Sequence, residues 1–285
     1  MKKIFLYPNF TKEGTQDAAE QIVRRLVELD MEVWCDRETM EKLPSSAGAG
    51  CQFRDYRQCL AECQAALVIG GDGSILRLAP DAARHDLPIL GVNTGKLGFM
   101  SELDAHELHH LKDLAQGRYT IDTRMMLDVS VCRQGEQVYA ASLLNDVVIT
   151  KWTQARLIGV AVSVDGVLTA SIQGDGIIVA TPTGSTAYTL SAGGPIIEPN
   201  ANCMAVTPIC AHELGAKPFV LSAERTVAIA AGAEDNQAFL SADGGAPFAI
   251  DPADIVAVRR SQWQTRLIRL KNIGFYQLIH KKLSI

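Results

Sequence analysis

Over the first 120 residues the apolar positions alternate between two periods. Residues 4–7 form a short apolar run closed by Pro8-Asn9, the pattern of a strand. Across residues 17–29, Ala18, Ile22, Leu26 and Leu29 share one face and Glu20, Arg24 and Glu28 the other, which predicts an amphipathic helix. Glu32–Cys35 reads as a second strand, and the small residues 45–50 as a loop. Ala65–Ile69 and residues 87–92 are uncharged apolar runs, as expected of parallel strands buried on both faces. This succession predicts an α/β N-terminal domain, doubly wound about a parallel sheet, over residues 1–120.

The pattern changes near Arg118. From Tyr119 onward β-branched runs dominate, at 127–132, 138–144, 147–150, 157–164, 177–180 and 226–230, and helical periodicity is scarce. Asp165-Gly166 and Asp243-Gly244 are hairpin-turn signals between such runs. Residues 121–265 are therefore expected to form an all-β sandwich of two packed sheets. Residues 273–283, with Phe275, Leu278, Ile279 and Leu283, return to a helical pattern. They predict a helix in a C-terminal segment, 266–285, that returns to the first domain.

Composition narrows the class. The 285 residues suit one large or two modest domains, and 47% hydrophobic with 21% charged residues is ordinary for a soluble globular chain. A net charge of −5 argues against a general nucleic-acid or anionic-membrane surface, so the cations that matter are expected to act locally on a small anionic ligand. The apolar stretch at the amino terminus is too short for a signal peptide, and no window reaches the length of a membrane span. Seven cysteines, an odd number without a repeated framework, point to a reducing compartment, the cytoplasm by default.

Candidate chemistry concentrates at strand ends. The run Ala65–Ile69 empties into Gly70-Gly71-Asp72-Gly73-Ser74, and Ile75-Leu76-Arg77-Leu78-Ala79 follows as a helix. Such a turn lets backbone N–H groups approach a phosphate at a helix N-terminus. Asp72 is the odd member, because a carboxylate repels phosphate unless it binds a metal, a hydroxyl or a proton in transit. A kinase acting on a hydroxyl needs all these parts; a plain strand-to-helix turn with an Asp cap accounts for the segment alone. A second strand, 177–180, runs into Thr181-Pro182-Thr183-Gly184-Ser185-Thr186-Ala187-Tyr188, where a helix from Ser185 or Thr186 is expected. Its hydroxyls could hold a polar ligand and Tyr188 could stack on a base, but a capped helix after a Thr-Pro turn explains it as well. Asn145-Asp146 is a third polar pair, in isolation a surface turn.

Other motifs fail on chemistry. Gly91-Val92-Asn93-Thr94-Gly95-Lys96-Leu97 is one residue short of a P-loop and lacks its hydroxyl after lysine. His106-Glu107-Leu108-His109-His110 matches a zinc-protease pattern, yet Leu108, Leu111 and Leu114 give that segment an apolar stripe. Cys59 and Cys63 find nothing to complete a metal site and read as core.

Taken together, these segments resemble the NAD kinase family. Gly70-Gly71-Asp72-Gly73 is shared with phosphofructokinases and lipid kinases. Asn93-Thr94-Gly95-Lys96-Leu97-Gly98-Phe99, Asn145-Asp146-Val147-Val148, and Asp175-Gly176 with Thr183 to Tyr188 and Ser191 to Ile196 are more discriminating. The likeness spans about residues 65–220. It implies phosphorylation of the adenosine ribose 2′-hydroxyl of NAD by ATP or polyphosphate, with Mg2+ carried on the donor and no metal ligand assigned among the side chains. Asp72 would be the catalytic base and Gly73 part of the phosphate turn, while Arg77 and Arg156 would face anionic groups. Asn145 and Asp146 would contact the dinucleotide. Asp175, Thr186, Ala187, Tyr188, Thr189, Leu190 and Ser191 would line the same pocket across a subunit contact, in a homodimer or homotetramer. Ser74 replaces the family's frequent threonine and keeps the hydroxyl. Gly245 stands where many members carry glutamine, so either a contact to the dinucleotide is vacant here or, the reading preferred beside Asp243-Gly244, it is a hairpin glycine at positive φ.

Overall fold

In the first strand, Ile4 and Leu6 turn to one side of the sheet and Phe5 to the other, so the strand needs cover on both faces. The computed structural model describes residues 1–95, 98–152, 156–213, 215–232, 238–271 and 273–283, and the chain divides into two units, Met1–Thr123 with Thr265–Ile285, and Arg124–Gln264. The first unit runs β1 (Lys3–Pro8), α1 (Thr15–Glu28), β2 (Glu32–Cys35), α2 (Arg37–Lys42), α3 (Ser45–Gly48), β3 (Cys51–Phe53), α4 (Tyr56–Glu62), β4 (Ala65–Ile69), α5 (Asp72–Arg84), β5 (Ile89–Asn93) and β6 (Leu103–Asp104). A 3-10 turn (Ala105–His110) and α6 (Leu111–Ala115) follow. The strands are parallel in the order β3-β2-β1-β4-β5. Ile4 and Leu6 pack with Ala18, Ala19, Ile22, Val23 and Leu26 of α1, while the Phe5 ring meets Tyr56 of α4 at 5.8 Å on the opposite face.

The winding reverses at the centre of this sheet. From β1 the chain proceeds outward through β2 and β3, then crosses back to build β4 and β5 on the other side. The carboxyl ends of β1 and β4 thus frame the crevice where open α/β sheets bind ligands. The expected loop at 45–50 is corrected: α3 makes one helical turn there, entered from Pro44, and buries Ala47 in the core shared with α1. The C-terminal residues of this unit are tied by Glu102, 7% exposed, which accepts from the backbone N–H of Leu270 (2.8 Å) and Lys271 (2.6 Å). The closing helix spans Phe275–Leu283.

The second unit draws on β7 (Thr120–Arg133), β8 (Glu136–Leu143), β9 (Asp146–Lys151), β10 (Ile158–Val164), β11 (Val167–Gly174) and β12 (Gly176–Ala180). After a 3-10 turn (Gly184–Thr186) and the single-turn α7 (Tyr188–Ser191) come β13 (Cys203–Ile209), β14 (Phe219–Ser222), β15 (Val227–Ala231), β16 (Ala238–Ala242), β17 (Phe248–Ile250) and β18 (Ile255–Arg269). One antiparallel sheet is ordered β14-β13-β12-β9-β16-β17. Its inward Val147, Ile149, Ile177, Val179 and Leu240 share one core with Leu127, Val129, Val160, Val162, Ile229 and Val256 of the other strands, a sandwich-like arrangement. The predicted hairpin turns are present: Asp165 and Gly166 have φ 49° and 82°, and Asp243 and Gly244 have 49° and 67°. The continuous helix expected from Ser185 or Thr186 is corrected, because Ala187, at φ −99° and ψ −127°, separates the 3-10 turn from α7. Among the described residues no helix is long and apolar enough to cross a membrane.

Candidate active site

In the first unit the uncharged β4 strand ends at Ile69, and Gly70, at φ 145°, turns the chain off the sheet. A Cβ on Gly70 would lie 2.5 Å from Ser74 Oγ, so the turn closes only over glycine. Asn9, at the end of β1, fastens it: its N–H donates to Ile69 O (2.8 Å) and its Nδ2 to Ser74 Oγ (3.0 Å). Asn9 was not foreseen as part of the site. Its only signal in the sequence is a Pro-Asn closing the first strand. Gly73 needs no unusual φ; an added Cβ there would have nothing within 4 Å. Its value is open space over the first turn of α5, where N–H groups lack intrahelical acceptors.

Asp72 begins α5 and turns its carboxylate onto the segment 98–101. Phe99 N–H (2.7 Å) and Met100 N–H (3.3 Å) donate to Oδ2, and Ser101 N–H (3.1 Å) and Oγ (2.9 Å) to Oδ1. Four donors fill the acceptor sites of a carboxylate. Gly98 permits the approach, since a Cβ there would lie 1.8 Å from Asp72 Oδ1. In this conformation Asp72 can take a new proton only after one donor withdraws. Of the four, the Ser101 hydroxyl alone is a free rotor.

Beside this turn lies a cleft of about 500 Å³ whose lining includes Tyr7, Asn9, Lys42 and Arg77 together with the carboxyls of Asp36, Glu38 and Glu41. Arg77, one turn beyond Asp72 on α5, has no ion-pair partner among the described residues, whereas Lys42 is held by Glu38 at 2.7 Å. Burial raises the Tyr7 phenol, and Arg77 pulls the other way. Among the described residues Arg77 is thus the cation of this cleft without an ion pair, in a lining that also carries acidic side chains.

In the second unit Asn145 and Asp146 open β9 at 8% and 5% exposure. Asp243 accepts from the N–H groups of Leu144 (2.7 Å), Asn145 (2.8 Å) and Asp146 (3.0 Å). The loop after β12 closes on the same backbone: Thr181 N–H donates to Asn145 O (2.8 Å), and its hydroxyl to Leu144 O (2.6 Å). Two acceptors are left over. Asn145 Oδ1 is buried with no partner, and no donor among the described residues reaches the Asp146 carboxyl. Burial, and then the charge of Asp243, push the Asp146 carboxyl up to about 7. Asp243 is itself raised by burial, against the pull of its three N–H donors.

This shift makes a stability prediction. The folded chain keeps the Asp146 proton over a range, from about pH 4 to 7, in which the unfolded chain has released it, so stability is lost as pH rises through 7. Asp146→Asn removes the dependence. Its unfolding free energy is expected to match the wild type near about pH 4 and exceed it near about pH 8 by at most about 4 kcal/mol, with a correspondingly higher melting temperature. Equal melting at both pH values would show that Asp146 is not a buried titrating group.

The remaining expected residues divide. Thr186 hydroxyl donates to Thr183 O (3.2 Å), Thr189 is fully buried with Oγ1 unpartnered, and Tyr188 is 44% exposed, all in the turn and helix that follow β12 near Asp146. Ala187 makes the break, and Leu190 and Ser191 end α7. Asp175 lies at the other end of β12 from the strand's pairing with Asp146, in an ion pair with Lys151 at 2.5 Å. Arg156 precedes β10, whose first residue pairs with Gly174, and so belongs to that same far end. A single chain does not bring Asp175 or Arg156 to Asn145-Asp146. The positive φ expected at Gly245 is also corrected: Asp243 and Gly244 carry it, while a Cβ on Gly245 would lie 3.0 Å from Ala242 O. A side chain at 245 therefore meets a backbone oxygen rather than a forbidden φ. The segment Ala105–His110 is a 3-10 turn in which His110 Nδ1 lies 3.2 Å from Asp113.

The family model for the ATP-NAD kinase N-terminal domain matches residues 4–119, and that for the ATP-NAD kinase C-terminal domain matches 144–270. The chain is 36% identical to an NAD kinase of Natranaerobius thermophilus over 286 residues, covering 100% of this chain and 98% of the relative. It is 43% identical to one of Symbiobacterium thermophilum over 219 residues, 76% of this chain and 77% of the relative. Among solved structures, a yeast NADH kinase complexed with NADH shares the fold at TM-score 0.89 and 22% identity, covering 100% of this chain and 88% of that one. An NAD kinase from Archaeoglobus fulgidus in complex with ATP gives 0.74 and 26%, covering 100% and 99%. With both family models matched in order and full-length relatives above a third identical, the chain belongs to the NAD kinase family.

Proposed function

We propose that this enzyme transfers the γ-phosphoryl group of ATP, or of another phosphoryl donor, to the adenosine ribose 2′-hydroxyl of NAD, giving NADP. Kinase activity on NAD follows from the family. The observation that carries the assignment of residues is a pair of buried groups: Asn145 Oδ1, which has no partner among the described residues, and beside it the Asp146 carboxyl, whose shift has no hydrogen bond among its causes. Nucleoside sugars and bases supply such donors, and an unmet buried acceptor is costly until a ligand meets it. We assign the donor phosphates to the glycine turn and Arg77, and the hydroxyl's proton to Asp72. Phosphoryl transfer rests mainly on positioning and charge neutralisation, so Asp72 orients the hydroxyl and takes its proton late, as the Ser101 hydroxyl rotates away.

A divalent cation, Mg2+ by expectation, would neutralise charge on the donor. Both Asp72 oxygens are already engaged, and the described residues present no cluster of acidic, histidine or cysteine side chains suited to an ion. The cation is therefore assigned to the donor phosphates, and no step is routed through a protein-held metal. Asp175 and Arg156, remote from Asn145 within one chain, are assigned to a neighbouring subunit's site in a homodimer or homotetramer. A cytoplasmic location suits the seven free cysteines.

The test is turnover. Purified protein with Mg2+ and NAD is given ATP, another triphosphate or polyphosphate in turn, and NADP is read with an NADP-specific dehydrogenase. Asn145→Ala should raise KM for NAD by about tenfold and leave the donor KM unchanged. A raised donor KM instead would move the pair to the donor; binding of NAD without NADP would make the chain a sensor.

A further inference from the structure

We propose that Asp243 is a positioning residue for dinucleotide binding. It fixes the backbone that presents Asn145 and Asp146 to the ligand's hydroxyl or amine donors. The inference rests on the assignment of that pair to NAD.

Asp243 is the first central residue of the turn Ala242–Gly245, closed by Gly245 N–H on Ala242 O (2.8 Å), in the five-residue connection between β16 and β17, at φ 49°. That place asks only for a residue tolerant of positive φ, and asparagine or glycine would serve. The carboxylate instead reaches back to a segment 97 to 99 residues away in sequence. Oδ1 takes two N–H groups and Oδ2 a third, while the Asp243 N–H donates to Asp146 O at 2.9 Å. The start of β9 is thereby held from both directions, while Asn145 Oδ1 has no partner among the described residues. A turn built for stability alone would not place a second buried carboxyl at Asp146, where like charge opposes ionisation.

Among the described residues neither carboxyl has an ion-pair partner, and the Asp243 charge acts on Asp146. Neither shift has a cation among its causes. On β8 the neighbouring titratable group is the Tyr139 phenol, which burial and Asp243 both raise. From β7, Arg124 is directed to Thr183 Oγ1 at 3.2 Å, and the loop Thr181 to Ser185 carries no titratable side chain. Asp243 is thus the charged group that acts on Asp146.

The experiment is the pH profile of KM for NAD in three proteins. In the wild type KM should fall as pH rises through about 7, when Asp146 ionises. Asp243→Asn keeps one oxygen, turns an amide N–H2 toward Leu144 N–H and removes the charge. It should raise the high-pH KM severalfold, leave kcat and the donor KM within about twofold, and move the midpoint to lower pH. Asp146→Asn should abolish the pH dependence. A merely structural Asp243 would lower the melting temperature without moving the midpoint, and that result overturns the proposal while Asp146 keeps its role. An Asp146→Asn protein with unchanged KM for NAD would overturn the assignment of the pair, and this inference with it. A readout independent of variant folding is the carboxyl-carbon NMR titration of the wild type. A second inflection of Asp243 at the Asp146 midpoint supports the coupling, and two independent curves overturn it.

Discussion

Replacing Asp72 by asparagine lowers kcat by at least about 100-fold and leaves the affinity for NAD within about twofold. A carboxylate accepting the hydroxyl proton contributes to the transition state and little to ground-state binding, so the loss falls on kcat. The structure adds a complication that the substitution must be read against. Asp72 holds the segment 98–101 through four hydrogen bonds, and an asparagine would set its N–H2 against either the N–H groups of Phe99 and Met100 or the donors of Ser101. That conflict costs about 1–3 kcal/mol of stability whether or not Asp72 handles a proton. Ser101→Ala separates the two effects. It removes the hydroxyl donor at 2.9 Å, leaves the carboxylate, and frees one acceptor site. If Asp72 is the base, Ser101→Ala keeps turnover near the wild type while Asp72→Asn loses it. If both variants lose activity in proportion to their drop in melting temperature, Asp72 serves the loop and not the proton. Near-normal kcat in Asp72→Asn would also end the base assignment.

How much of this was legible in the sequence depends on how far apart the partners lie. The β4 strand, the glycine turn and α5 are contiguous, and the abrupt change from an apolar run to glycines exposes all three. The strands β9, β10 and β12 carry β-branched residues at inward positions and are equally plain. By contrast β18 is a 15-residue strand whose inward positions include Ser261 and Thr265, at 5% and 1% exposure, between exposed or half-buried arginines and glutamines. Polar residues on the buried face erase the alternation by which a strand is recognised. The short edge strand β3, with Gln52 and Phe53 exposed, offers no alternation to read.

The site follows the same rule. Asp72 stands out because of its neighbours in sequence, but its four donors lie 27 to 29 residues on, and nothing local marks them. Asn9 is 65 residues from Ser74, and Asp243 nearly a hundred from the amides it holds. Both read as ordinary turn residues, since asparagine and aspartate favour turns for reasons that have nothing to do with a distant partner. The resemblance implied which groups to assign to ligands; the groups that hold those in place became visible only through the fold.

Gly184→Ala should be among the most damaging single methyls in the second unit. A Cβ there would lie 2.2 Å from Asn145 O, 2.5 Å from its carbonyl carbon and 2.8 Å from its Cα. All three are backbone atoms, so no rotamer change relieves the clash. The loop cannot simply lift, because Gly184 N–H donates to Thr181 Oγ1 (3.0 Å), whose hydroxyl and N–H in turn bind Leu144 O and Asn145 O. The added methyl must therefore either break these bonds or move the start of β9, and moving β9 disturbs the three N–H groups held by Asp243. Overpacking of this kind costs about 1–3 kcal/mol, and lost buried hydrogen bonds add to it. The expected result is a melting temperature lower by several degrees together with at least a tenfold weaker affinity for NAD, while the KM for the phosphoryl donor stays within about twofold. Thermal melting and calorimetric titration of NAD measure the two arms separately. Lower stability with unchanged NAD affinity would show that the loop after β12 supports the sheet without shaping the dinucleotide site. Unchanged values on both would mean that the approach of Gly184 to Asn145 is looser in solution than the packing demands.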